Sequence, residues 1–290
     1  MSTEPSPRRE QPSTYFVQDR ANKAERERVT IQDQMVTRGM GGVLPEQPDP
    51  TLFHRVLDVG CGTGSWLIEA ARTYPEMTTL VGADISIHTV EYARKLAQEQ
   101  EVGDRVEFRV MDALRVLEFP QSSFDLVNQR LGWSYLRTWD WPNLLQEYRR
   151  LARPGGVIRV TESSIFGETS SSALNQLYDI ARDAFFRAGH LFVEGREGII
   201  SKLADLLHQQ GIQNVQTRSV MLDHSARSDA MNTGKEDIKL LFRTVVPFLQ
   251  KWTQVPKNYD QLYQQAVKDM DQPDYTAEWE IVTAWGTNPS

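Results

Sequence analysis

The sequence predicts an α/β protein built on an open, largely parallel sheet. Three observations predict it. Short apolar strands alternate with helical stretches of roughly ten residues over the first half of the chain, the pattern of βαβ units. One of those strands runs directly into a glycine-rich turn, Gly60-Cys-Gly62-Thr-Gly64, that opens a helix. Acidic residues also stand at three successive strand ends, Asp58, Asp84 and Asp112.

The elements follow in order. Residues 1–13 carry three prolines and no apolar period, so they are expected to be disordered. From Tyr15 to Arg38 the chain is helical in character but heavily charged, which predicts a thin cover lying on something else. The glycines and prolines of 39–50 end it. Arg55–Gly60 is an apolar strand and Ser65–Thr73 a helix; Leu80–Asp84 is the second strand, and Ser86 caps a helix over Thr89–Gln100. Val106–Met111 and Phe124–Asn128 are strands three and four. The helix Pro142–Ala152 stops at Arg153-Pro-Gly-Gly156, expected as a sharp turn, before strand five at Val157–Thr161. Past Phe166 come two amphipathic helices, Ala173–Ala188 and Gly198–Gln210, then a strand at Val215–Leu222. A helical stretch, Lys235–Met270, is broken at Pro247 and Pro256, and a last strand covers Trp279–Trp285. The expected organisation is a lid at 14–50 and one sheet domain at 51–290, with helical insertions at about 166–212 and 226–277.

Composition narrows the class. The chain has 290 residues, 40% hydrophobic and 24% charged, which excludes disorder throughout. No apolar run approaches the ~20 residues a bilayer requires, and the opening MSTEPSPRRE lacks a signal-peptide core. The single cysteine, Cys61, suits a reducing compartment, and a net charge of −7 argues against general nucleic-acid binding. The expectation is a cytoplasmic protein without nucleic-acid or membrane partners. No HExxH, CxxC pair or ligand-spaced histidines occur, so no metal is expected.

The glycine turn presents backbone N–H groups and a helix N-terminus, a place for a nucleotide-like ligand at the carboxyl end of the first strand. Its spacing departs from a dinucleotide fingerprint, because Ser65 stands where the third glycine belongs and that glycine falls one residue early, at Gly64. No Gly-Lys-Ser/Thr follows, which excludes a P-loop. Asp58, two residues before the first glycine, would repel a diphosphate and favour the ammonium of an amino acid. Asp84 is placed to accept ribose hydroxyls, and Asp112 to accept an adenine amino hydrogen.

These residues resemble the class I S-adenosylmethionine-dependent methyltransferases. The resemblance rests on Leu57-Asp-Val-Gly-Cys-Gly-Thr-Gly64, Gly82-Ala-Asp84-Ile-Ser86, Asp112-Ala113, Phe124-Asp-Leu-Val127 and Leu151-Ala-Arg-Pro-Gly-Gly156, in the family's order and spacing. The opening Tyr15…Glu25-Arg-Glu-Arg28, Asp140-Trp141 and Thr161-Glu162 look like the secondary-metabolism members from fungi and bacteria. The resemblance implies a Rossmann-like, seven-stranded sheet of order 3-2-1-4-5-7-6 with an antiparallel last strand. It implies S-adenosylmethionine as cofactor, lying against Gly60, Cys61, Gly62 and Gly64. Asp58 and Asn128 would serve its methionine end, Asp84 and Ile85 the ribose, Asp112 and Ala113 the adenine, and the segment carrying Tyr15 would close over it.

Methyl transfer from a sulfonium needs mainly positioning and a dry cavity, with a base only for a weakly acidic nucleophile. The acceptor is expected to be a small organic metabolite, methylated at O, N or C, meeting Arg130, Trp133 and Tyr135 after the fourth strand. His190, His224 and Glu168 are the candidate bases on the substrate side. The alternative is a cofactor-binding regulatory or interaction protein with little catalysis of its own.

Overall fold

The computed structural model describes residues 14–16, 23–228 and 231–289. The stretch 1–13, expected to be disordered, lies outside the described residues, as does part of the expected lid. The first helix, α1 (Lys23–Gly39), leads through a loop to β1 (Arg55–Val59). Then follow α2 (Ser65–Thr73), β2 (Thr79–Asp84), α3 (Ile87–Glu99), β3 (Val106–Val110), β4 (Phe124–Arg130), α4 (Trp141–Leu151) and β5 (Ala152–Ser163). The second half holds β6 (Glu168–Thr169), α5 (Ser172–Arg187), α6 (Leu203–Gln209), β7 (Gln213–Asp223), α7 (Met231–Thr244), α8 (Val246–Trp252), α9 (Tyr259–Asp269) and β8 (Ala277–Thr287).

The sheet runs β3-β2-β1-β4-β5-β8, with β7 on the outer side of β8 and the two-residue β6 on the β5 side of its first residues. Strands β1 to β5 pair in parallel, whereas β8 is antiparallel to β5 and β7. Leaving β6 aside, this is the expected seven-strand order with an antiparallel last strand. The class is α/β, with helices on both faces.

The faces follow from the period of two along each strand. Val56, Leu80 and Leu126 point to the side where Trp66, Leu67 and Ala71 of α2 and Val90 and Ala93 of α3 pack. Their neighbours Leu57, Val81 and Val127 point to the other side, against Leu144, Leu145 and Tyr148 of α4 and the helices of the second half. Both faces being covered, the strands read as continuous apolar runs.

Three elements differ from expectation. Arg153–Gly156 is not a free turn: it is the first part of β5, where the ladder to β4 shifts register between Phe124 and Leu126 and Gly155 adopts φ +74°. The helix expected from Gly198 starts at Leu203, after a short 3-10 turn. The break expected at Pro247 is present but falls just before it, between Thr244 and Val246, so that Pro247 sits in the first turn of α8, where a missing N–H costs nothing.

Register also builds a polar string inside the sheet. Asp58, Asn128 and Arg159 are cross-strand partners on β1, β4 and β5. Asn128 Nδ2 donates to Asp58 at 2.8 Å, and Arg159 donates to Asn128 Oδ1 at 2.8 Å. Arg159 also donates to Glu46 at 2.7 Å, in a pair whose side chains are each 1% exposed. Burial alone would raise the Glu46 carboxyl, but the Arg159 guanidinium overrides it and holds it below the ordinary value. The loop after α1 is thereby nailed to the sheet, a hold strengthened by Trp66 Nε1 donating to Val43 O at 3.1 Å. Glu46→Ala, which strands a buried guanidinium, is expected to cost about 3–5 kcal/mol in urea unfolding. Adding Arg159→Met should recover most of that loss. A single-variant cost under about 1 kcal/mol would show that the pair is not structural.

Candidate functional site

The glycine turn owes its shape to residues that tolerate positive φ. Gly60, Gly62 and Gly64 sit at φ +70°, +53° and +75°. A Cβ at Gly64 would come 2.4 Å from the Phe108 ring, so this glycine lets the start of α2 press onto β3. Gly60 N and Cys61 N both donate to Ala83 O, which ties the turn to β2. The Cys61 thiol fits because position 82 is glycine; a Cβ there would meet its sulfur at 2.8 Å. Asp84 accepts from Gly62 N at 3.1 Å with one oxygen and from Ser86 N at 2.9 Å with the other. Asp112 accepts from Leu114 N at 2.9 Å.

A cavity of about 410 Å³ runs from this turn into the helical second half. Of the residues expected to hold a cofactor, Tyr15, Asp58, Gly60, Cys61 and Gly62 line it, and so do Asp84, Ile85, Asp112 and Ala113. Arg130, Trp133, Tyr135 and His224, expected to meet the acceptor, line it too. Four expected site residues do not. Gly64 lies at the helix start behind the turn. Asn128 is fully buried beneath Asp58 and acts on the cavity only by holding that carboxylate. Glu168 is exposed on β6 and paired with Arg196. His190 is fully buried outside the cavity, its Nδ1 bound to Trp133 O at 2.7 Å and its ring against Phe185 and Phe248. A carbonyl only accepts, so Nδ1 carries the proton and His190 is a brace for the Trp133 turn. These placements remove Glu168 and His190 from the substrate side.

Asp58 is buried, and desolvation raises its carboxyl to about 7 against the lowering pull of Arg130 and the Asn128 amide. An approaching cation is the natural partner for such a group. Arg130, at the end of β4, reaches Asp33 of α1 at 3.1 Å and donates to Thr37 at 2.9 Å. It therefore joins the first helix to the carboxyl end of a central strand. Beyond it Leu131 turns the chain with φ +54°, a conformation that a leucine holds only when its surroundings insist. Glu162 supplies the insistence: it accepts from Gln129 Nε2, Gly132 N and Trp133 N, while burial raises its carboxyl to about 8. The turn drives Trp133 and Tyr135 inward. The Tyr135 hydroxyl ends where a Cβ on Gly60 would be, 2.3 Å away, and it is buried without a hydrogen-bond partner.

The roof was only partly legible. Tyr15 donates to Glu25 at 2.7 Å, and Arg28 donates to Glu25, to the Tyr15 hydroxyl and, at 2.7 Å, to Asp237 of α7. The sequence marks the charged run of α1, but nothing near Asp237 signals that it answers a residue over two hundred positions away. Phe16 likewise enters the aromatic cluster of Trp133, Phe185 and Phe248 without any local pattern announcing it. Among the described residues no group of three His, Cys, Asp or Glu side chains is arranged to hold a metal ion, and no helix is long and apolar enough to cross a membrane.

Fold, glycine turn and strand-end acids together define an α/β, Rossmann-like methyltransferase fold. Residues 56–156 match the family described as "Methyltransferase domain". Among curated relatives, the methyltransferase GfsG of Streptomyces halstedii is 32% identical over 43% of this chain and 43% of its own length. The 27-O-demethylrifamycin SV methyltransferase of Amycolatopsis mediterranei is 34% identical over 42% of this chain and 41% of its own. The chain thus spans less than half the length of the first curated relatives it matches. Among solved structures, phosphoethanolamine N-methyltransferase 2 of Haemonchus contortus superposes with TM-score 0.55 at 17% identity, covering 95% of this chain and 59% of that one. The [4+2]-cyclase SpnF superposes with TM-score 0.53 at 18% identity, covering 96% and 98%. At these identities the structural likeness establishes the fold.

Burial holds the His190 ring down to a pKa of about 3, from an ordinary 6.5. As pH falls below that ordinary value, the unfolded chain takes up the proton first. The stability His190 contributes is therefore whole above 6.5 and is lost towards 3, by at most ~1.4 kcal/mol per pH unit. Unfolding free energy measured between about pH 7 and about pH 5 should fall less steeply in His190→Asn than in the natural chain. An identical slope would mean that the ring is not buried neutral.

Proposed function

We infer that the protein is an S-adenosylmethionine-dependent methyltransferase acting on an O, N or C nucleophile of a small organic metabolite. The observation that carries this reading is the bare main chain of Gly60 and Gly62 facing a cavity edged by Asp58, Asp84 and Asp112. The residues suit such a nucleoside. A Cβ at Gly62 would meet only Val29, at 3.5 Å, so backbone can lie directly against a ligand there. The orphaned Tyr135 hydroxyl beside Gly60 offers a hydrogen bond that no protein group takes up. Asp58 would face the ammonium of the methionine end, Asp84 the ribose hydroxyls, and Asp112 with Ala113 the adenine edge. When bound, the cofactor supplies an activated methyl on a sulfonium.

The chain's own task is then to position and to dry. Trp133 and Tyr135, pushed inward by the Glu162-braced turn, separate the cofactor end from the acceptor end. The Tyr15–Glu25–Arg28–Asp237 cluster roofs both and excludes water, which raises the worth of every dipole inside. His224 is the base candidate that reaches the cavity: desolvation lowers its pKa, so the imidazole is neutral near neutral pH and has a nitrogen to accept a proton. The names of curated relatives, a 27-O-demethylrifamycin SV methyltransferase and an aklanonic acid methyltransferase, support a small-molecule acceptor.

Calorimetry with S-adenosylhomocysteine tests the reading. Asp84→Ala should weaken binding by roughly 1–3 kcal/mol, because two buried hydroxyls lose a charged acceptor; unchanged affinity would locate the ribose elsewhere. Asp58 adds a pH signature. Below about 7 the free protein's carboxyl is protonated, and an ammonium binds only after the proton leaves. Affinity should therefore rise up to tenfold per unit as pH approaches 7 from below, then level off. Asp58→Asn should flatten that profile, and a flat profile in the natural chain would remove Asp58 from the ammonium site. Transfer of labelled methyl from the cofactor to any acceptor establishes turnover.

A further inference from the structure

Beyond Trp133 the cavity continues between the start of β8 and helices α7 and α9. Its walls there are apolar and aromatic: Phe166, Tyr178, Met231, Leu241, Met270 and Trp279. Phe166 and Tyr178 stack with ring centres 4.9 Å apart, and Trp133 meets Phe166 edge-on at 6.3 Å. Four cations line the cavity; Arg26 is not without a partner, and the other three are each matched by a carboxylate of the same chain. Arg28 is held by Glu25 and Asp237, Arg130 by Asp33, and Lys235 by Asp271. A phosphate or carboxylate acceptor would have to break one of these pairs or be buried without a counter-charge.

A polar atom of the chamber stands without such a partner. His224 Nε2 is buried and accepts or donates no hydrogen bond among the described residues. Its ring is fixed from two sides. Trp279 lies 6.1 Å away, and a Cβ on Gly234 of α7 would touch it at 3.2 Å. Its main-chain N–H is tied to Ala277 O at 2.8 Å. A buried nitrogen without a partner is costly unless a ligand answers it.

We propose that this chamber takes a largely apolar ring compound that carries a hydroxyl and no anionic group, and that the hydroxyl is held by His224 Nε2. The assignment rests on the reading of the cavity as a methyltransferase's, and it narrows the acceptor from any small metabolite to one without phosphate or carboxylate at this end.

The test uses two probes of one shape, 2-naphthol and 2-naphthoate, titrated calorimetrically into the full chain with and without saturating S-adenosylhomocysteine. The naphthol should bind, and the naphthoate should bind on the order of 100-fold more weakly because its charge finds no free cation. His224→Phe should weaken naphthol roughly tenfold while leaving naphthalene unchanged. Ile238→Trp, which fills the chamber from α7, should abolish naphthol binding while S-adenosylhomocysteine affinity, the check on folding, is retained. Naphthoate binding as tightly as naphthol, no naphthol binding, or naphthol binding indifferent to both substitutions would each overturn the proposal. Failure of the nucleoside to bind, with naphthol still preferred and still sensitive to His224, would overturn the methyltransferase reading instead and leave the chamber's chemistry supported.

Discussion

A carboxylate buried at the tip of the central strand is the constraint on which the rest of this structure depends. Asp58 is 4% exposed, and a charge there is tolerable only with partners. The sheet supplies them through register. The same row that aligns β1 with β4 and β5 sets Asn128 beside Asp58 and Arg159 beside Asn128, and Glu46 closes the string from the loop after α1. A slip of one residue in any of these strands would send the partner to the opposite face. The polar row therefore specifies the pairing, and the pairing specifies where the carboxylate points.

The turn above that carboxylate is arranged by the complementary device of missing side chains. Main chain at Gly60 and Gly62 faces the cavity, and the space a Cβ would take at Gly60 is occupied by the Tyr135 hydroxyl. Tyr135 is brought there by a leucine in a left-handed conformation, stabilised by Glu162 and backed by His190. Two groups that look chemically active in sequence, a glutamate and a histidine, thus serve as braces. The hydrogen bonds explain it: Glu162 accepts from two backbone N–H groups of the turn, and His190 Nδ1 donates to the Trp133 carbonyl.

Over this floor α1 and the second-half helices close by buried charge as much as by apolar packing. The Arg28 guanidinium holds Glu25, Tyr15 and Asp237 at once, and Arg130 holds Asp33 and Thr37. Such pairs contribute little net stability compared with apolar groups of the same shape, but they fix which helix meets which. That arrangement leaves Arg28, Arg130 and Lys235 each paired with a carboxylate and much of the remaining wall apolar and aromatic, with the unpartnered His224 Nε2 set into it.

The sequence by itself determined the alternation of strands and helices, the glycine turn and the acids at three strand ends. These are local features, written as the period of two along strands, the φ tolerance of glycine and the position of a carboxylate relative to an apolar run. The resemblance those motifs carry extended the reading to the sheet order, including the antiparallel last strand. Only the tertiary structure decided the rest. Asn128 turned from the expected ligand contact to a support because its partner on β5 is an arginine. His190 and Glu168 left the site, one into the core and one onto an exposed edge, while His224 stayed. Asp237 and Phe16 joined the cavity across long stretches of chain. The physical reason is the same in each case: such roles are set by which groups meet across the fold, and pairings between distant residues leave no periodic trace in the local sequence.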